Sequence, residues 1–95
     1  MDELYDQIKK EIEKFGQNVS MAEQGLETKD VPKTAYYISE CHSNIVTLKT
    51  KVSLYVLGIK EKKIITSYDR LSEFDRINEF VSRLDNVVES FSRYM

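Results

Sequence analysis

Residues 39–44 read Ser-Glu-Cys-His-Ser-Asn and hold the chain's only cysteine and its only histidine, with a glutamate beside them. These types could do two kinds of chemistry. A thiolate activated by an imidazole is a nucleophile, and a thiolate with an imidazole is the beginning of a zinc site. Neither reading survives the spacing. Consecutive residues on a helix point about 100° apart, so Cys41 and His42 do not face one another. A second cysteine or histidine would have to arrive from elsewhere, and the chain has none. Zinc needs three or four ligands. Cys41 instead falls inside an apolar repeat between Ile38 and Ile45, where a small side chain packs well. The stretch reads as packed helix, with no catalytic, cofactor-binding or metal-binding residue in it.

Other catalytic signatures are missing too. Gly16, Gly25 and Gly58 are isolated, so no glycine-rich loop can cradle a phosphate or a dinucleotide. The acidic pairs Glu11/Glu13 and Asp75/Glu79 read as solvated faces. Carboxylates that share acid and base roles need environments that push their pKa values apart. The expectation is a protein that is not an enzyme and takes no small-molecule substrate.

The elements around these residues announce themselves by period. Tyr5, Ile8, Ile12, Phe15, Val19, Ala22 and Leu26 recur at alternating spacings of three and four. So do Ile38, Cys41, Ile45, Leu48, Val52, Tyr55 and Ile59, and again Phe74, Ile77, Val81, Leu84, Val88, Phe91 and Met95. This is the heptad pattern of helices packed lengthwise against each other. Asp30 followed by Pro32 marks the start of the second helix. Gly58 or the Lys-Glu-Lys-Lys run at 60–63 can end it. Thr66 or Ser67 can cap the third, with Asp69 in its first turn. Glu79–Arg83 and Glu89–Arg93 are spaced for ion pairs along that helix. The expected helices cover about 2–27, 32–58 and 67–94. Short connections make neighbours antiparallel. The fold class expected is all-α: an antiparallel three-helix bundle or extended helical hairpin within a single domain, 1–95, dimerising into a larger bundle.

Composition agrees. The chain has 95 residues, is 41% hydrophobic and 32% charged, and contains three glycines and one proline. That is too apolar for disorder and too poor in turn residues for an all-β fold. The net charge of −2 gives no general attraction to nucleic acid or anionic lipid. No run approaches the roughly 20 apolar residues that span a bilayer, and the acidic, amphipathic first segment is no signal peptide. One cysteine cannot form an internal disulfide, which favours a reducing compartment. A cytoplasmic protein without a membrane association is expected.

The second helix is unlike the others. From Ala35 to Ile59 its only charges are Glu40, Lys49 and Lys51, and Leu54-Tyr55-Val56-Leu57-Gly58-Ile59 is apolar almost all round. A helix that is apolar on every side is covered on every side. A three-helix monomer offers it two neighbours, so its remaining side should meet another chain, with a homodimer the simplest form. Tyr36, Tyr37, Leu54, Tyr55, Val56 and Leu57 are the expected interface, rich in the residue type favoured at interface centres. The competing possibility is that Ile64 and Ile65 fold back and cover the patch within the monomer. The function expected is therefore a small interaction module: an adaptor, a chaperone-like partner, or an inhibitor or regulator of another protein. A second reading comes from charge. Residues 43–68 hold five lysines against one glutamate, while the first 42 residues are net −4. Lys60, Lys62 and Lys63 with Arg70 could form a basic tip that touches nucleic-acid phosphates.

Overall fold

The computed structural model describes residues 2–94, without the side chain of Asp2. The chain is all-α. Helix α1 spans Asp2–Glu27, α2 Val31–Lys60, α3 Tyr68–Glu73 and α4 Asp75–Tyr94, and no strand occurs among the described residues. The molecule is long and narrow, 48 × 18 × 16 Å. Met95, the last position of the third heptad series, lies outside the described residues.

Both long helices end the same way. The N–H of Asp30 donates to the carbonyl of Gly25 at 2.8 Å and that of Lys29 to Leu26 at 3.1 Å. At the end of α2, Lys63 donates to Gly58 at 2.8 Å and Lys62 to Ile59 at 3.0 Å. These are paired closures of a helix C-terminus around one left-handed residue. Glycine usually takes that position, but here lysines do: Lys29 has φ 58° and Lys62 φ 61°. Gly58, an expected terminator, lies inside α2. A side chain there would collide with Ile64, whose Cδ1 sits 2.4 Å from where a Cβ would be. The glycine makes room for the loop to fold onto the helix. At the other end, the Asp30 carboxylate accepts from the Lys33 N–H at 3.1 Å and caps α2, with Pro32 in the first turn.

Sequence pattern and contact agree along α1. Ile8, Ile12, Phe15, Val19 and Ala22 are completely buried. Across from them, α2 buries Thr34, Cys41, Leu48 and Tyr55, each seven residues from the next. The ends meet in opposite order: Tyr5 packs on Tyr55, with ring centroids 6.3 Å apart, and Gly25 lies against Thr34. Midway, the Asn18 side chain donates to Asn44 at 2.8 Å, and Asn44 donates to the Glu11 carboxylate at 2.5 Å. Polar groups that pair only in one alignment fix the register of a helix seam. Ile38, Ile45, Val52 and Ile59 are half-buried at the side of this seam.

The expected third helix is divided. Phe74 separates α3 from α4, and its N–H reaches the Leu71 carbonyl three residues back at 3.0 Å. The tightened turn holds the Phe74 ring 5.5 Å from Tyr55 and 6.4 Å from Tyr5. Ser67 caps α3, accepting from the Arg70 N–H. Beyond the break α4 lies mainly on α1. Its Phe80 ring sits over Gly16, where a Cβ would be 2.6 Å from the ring, and meets Phe15 edge-on at 5.8 Å. Arg83 forks onto the Glu23 carboxylate of α1 and donates to Ser20 at 3.2 Å. The pair with Glu79 gives way to this bridge, because a carboxylate on a neighbouring helix accepts both arms of the guanidinium. Glu89–Arg93 does form along α4.

Two substitutions test this account by chemical denaturation. Lys62→Gly relieves a left-handed lysine and should stabilise the fold by about 1 kcal/mol. Gly16→Val drives a branched side chain into Phe80 and should destabilise it by roughly 1–3 kcal/mol.

Candidate functional site

The Glu40-Cys41-His42 triplet is divided among different sides of α2. Cys41 is completely buried in the seam, while His42 is exposed. Burial pushes the Cys41 thiol up to about 11 from 9.0, and the nearby Glu40 carboxylate adds to the rise. That is the opposite of an activated nucleophile, which needs a lowered pKa. Among the described residues no group of three or more His, Cys, Asp or Glu side chains converges to hold a metal ion.

Glu11 is more than a solvated acid. It is half-buried and accepts the hydrogen bond from Asn44, while Glu13 is exposed. An i-to-i+2 acidic pair on a helix looks the same in sequence whichever member turns inward.

The outer side of α2 is where the structure leaves apolar surface uncovered. Leu54 is 53% exposed and Leu57 49%, and Val56 and Tyr36 are exposed with them. Four of the six expected interface residues are thus exposed. Tyr55 does not. It is completely buried, and its hydroxyl donates to Thr66 at 2.9 Å. The correction follows from its seven-residue spacing to Leu48, which puts it in the seam. Tyr37 is half-buried and meets Tyr36 edge-on at 5.0 Å. It lines a groove of about 740 Å³ with Gly16, Phe80, Arg76 and Arg83. Val46, 65% exposed, belongs to the open face and was missed, because a single valine among serines and threonines gives no local signal.

The connecting loop covers less than it could. Ile64 is buried against Gly58, but Ile65 is 95% exposed. Leu54 and Leu57 therefore stay open, and Tyr68 and Leu71 add exposed apolar surface on α3.

The basic tip is present but mixed. Lys60, Lys62 and Lys63 are exposed. The Lys63 ammonium pairs with Glu61 at 3.1 Å. Arg70 lies over the Tyr5 ring, its guanidinium carbon 4.5 Å from the centroid. That contact brings the first turns of α1, with Glu3 and Asp6, to the same end of the molecule.

The groove between α1 and α4 is built as a packing site. The Arg76 and Arg83 guanidinium carbons each lie 5.6 Å from the Phe80 centroid, and each arginine has a carboxylate partner, Glu73 and Glu23 respectively. The Glu23 hydrogen bond raises the Arg83 pKa above its ordinary value. These charges are already satisfied within the chain.

No family model matches this chain, and no curated protein or solved structure is significantly similar to it. No described helix is long and apolar enough to cross a membrane.

The buried thiol yields a direct test. A thiol held near 11 is about a hundredfold less ionised at pH 8 than one at 9.0, so Cys41 should react with a thiol reagent at least that much more slowly in the folded than in the unfolded chain. The sign for stability follows. The folded state favours the neutral thiol, so this contribution is complete below pH 9 and is lost as pH rises toward 11. Cys41→Ala should lose less stability over that interval, measured by denaturant titration at each pH.

Proposed function

We propose that this chain is a small, non-enzymatic protein-interaction module. It is built as an antiparallel three-helix bundle and acts by burying the outer face of α2 against a protein partner. The observation that carries the reading is the exposure of Tyr36, Leu54, Val56 and Leu57 on a helix whose outer side lacks the charge of an ordinary solvated face. Exposed apolar patches on folded proteins mark interaction surfaces or ligand grooves. The leucines supply area to be desolvated, and Tyr36 supplies a rigid amphipathic anchor at the edge. The charged outer residues of α1 and α4 would set solubility and orientation of approach. A lone, buried thiol suits a reducing compartment such as the cytoplasm. Adaptor, chaperone-like partner and inhibitor are all forms of this one mechanism.

Leu54→Lys with Leu57→Lys tests it. Both side chains are exposed, so the variant should keep the helical content and unfolding midpoint of the native chain. A partner retained by the tagged native protein should be lost by the variant. Retention of the same partner by both would overturn the reading. The nucleic-acid alternative predicts salt-sensitive binding of a labelled duplex or RNA that charge reversal at Lys60, Lys62 and Lys63 abolishes.

A further inference from the structure

Between two fixed points the chain from 65 to 73 is held by very little. The first point is Ile64. It is buried against Gly58, and its N–H donates to the Gly58 carbonyl at 3.1 Å. The second is Phe74, whose ring meets both Tyr55 and Tyr5. No residue of α3 is buried, and Ile65 and Tyr68 are largely exposed. Two side chains reach inward. The Thr66 hydroxyl accepts from the Tyr55 hydroxyl at 2.9 Å, and the Arg70 guanidinium lies over the Tyr5 ring. Helix α3 has six residues, too few to hold itself, since isolated helices below ~12–15 residues are marginal in water.

The hydrogen-bond ladder of α3 is also separate from that of α4. On both sides of Phe74 the backbone bonds span three residues instead of four: Phe74 donates to Leu71 at 3.0 Å, and Ile77 donates to Phe74 at 3.1 Å. A tightened turn inside a helical run often marks a hinge. Opening α3 leaves the bonds within α4 in place. Segments with little apolar burial and solvent-exposed backbone bonds open at low cost while the rest of a fold stays closed.

We propose that residues 65–73 form a strap that opens and closes as one unit over the tyrosine end of the α1–α2 seam, while α1, α2 and α4 stay folded. Ile64 and Phe74 are its fixed ends, and Arg70 on Tyr5 holds it shut. Closed, the strap seals the seam: Tyr55 is completely buried, and Thr66 supplies the acceptor for its hydroxyl. Open, it admits water to that hydroxyl, which needs a partner in either state. The Tyr55–Thr66 hydrogen bond thus couples the order of the strap to the dryness of the seam.

Amide hydrogen exchange of the full chain, resolved by residue, tests the strap. The amides of Arg70, Leu71 and Phe74 are each hydrogen-bonded to a strap residue. They should open with one shared free energy, well ahead of the amides of Ile12 and Phe15 in α1. Arg70→Gln should speed them about two- to fivefold, the size of a cation–π contact at a partly exposed site. Ile12→Val loosens the core without emptying it. It should speed the α1 amides roughly two- to tenfold and leave the strap amides unchanged. Thr66→Val deprives the Tyr55 hydroxyl of its acceptor in the closed form only, so the strap amides should quicken roughly fivefold or more. In a Tyr55→Phe chain the same substitution should have no such effect. Strap amides as slow as those of α1, or equally quickened by Ile12→Val, would show that the chain opens only as a whole and overturn the proposal. Opening that differs from amide to amide and ignores Arg70→Gln is simple fraying and overturns it too. An equal effect of Thr66→Val with and without the Tyr55 hydroxyl would remove the seal.

Discussion

The apolar seam between α1 and α2 is the constraint on which the rest of the molecule depends. Ile8, Ile12, Phe15, Val19 and Ala22 present an unbroken stripe, and Thr34, Cys41, Leu48 and Tyr55 close over it. The hydrophobic effect makes the stripe cohere but does not choose its alignment, because apolar contacts are non-directional. The Asn18–Asn44–Glu11 hydrogen bonds choose it. Sliding the helices past each other by one turn would leave the buried Asn44 side chain without these partners, at a cost of roughly 1–3 kcal/mol. The left-handed Lys29 and the Asp30 cap then turn the chain within a few residues, so α2 begins where α1 ends.

Once the seam is set, α4 has one place to go. Its Phe80 ring needs a flat surface, and Gly16 supplies one on the flank of α1. Arg83 finds Glu23 one to two turns further along. Both features belong to α1. The outer side of α2 offers no matching glycine, and Leu54 and Leu57 stay exposed there. The loop that might have covered it is drawn inward by Ile64 at Gly58, which turns Ile65 to solvent. The exposed apolar face is thus a consequence of how well α1 is covered.

The same arrangement sets the environment of the thiol and of the groove arginines. Reactive side chains in enzymes are held where water is partly excluded and their pKa values are tuned toward use. Here the single thiol is sealed in the seam and pushed away from reactivity, and the arginines of the α1–α4 groove are matched to carboxylates. Apolar and aromatic side chains such as Leu54, Leu57 and Tyr36 stay exposed.

Much of this was legible in the sequence. Three heptad series, Asp30-Val31-Pro32 and Ser67 placed the helices within a few residues, because period and cap chemistry are local properties of the chain. The sequence also determined that α2 carries too little charge to be an ordinary solvated helix, and that Cys41 and His42 point different ways. Tertiary structure alone decided the rest. Tyr55 and Leu54 are neighbours of similar character, and only the position of α1 sends one to the core and the other to solvent. Gly58 looks like a helix terminator until Ile64 is seen to need its space. Arg83 is spaced to reach Glu79 but turns to Glu23. For Tyr55 and Arg83 the deciding partner lies tens of residues away in the chain, and for Gly58 it returns across a loop; a local pattern carries no information about which surface will arrive.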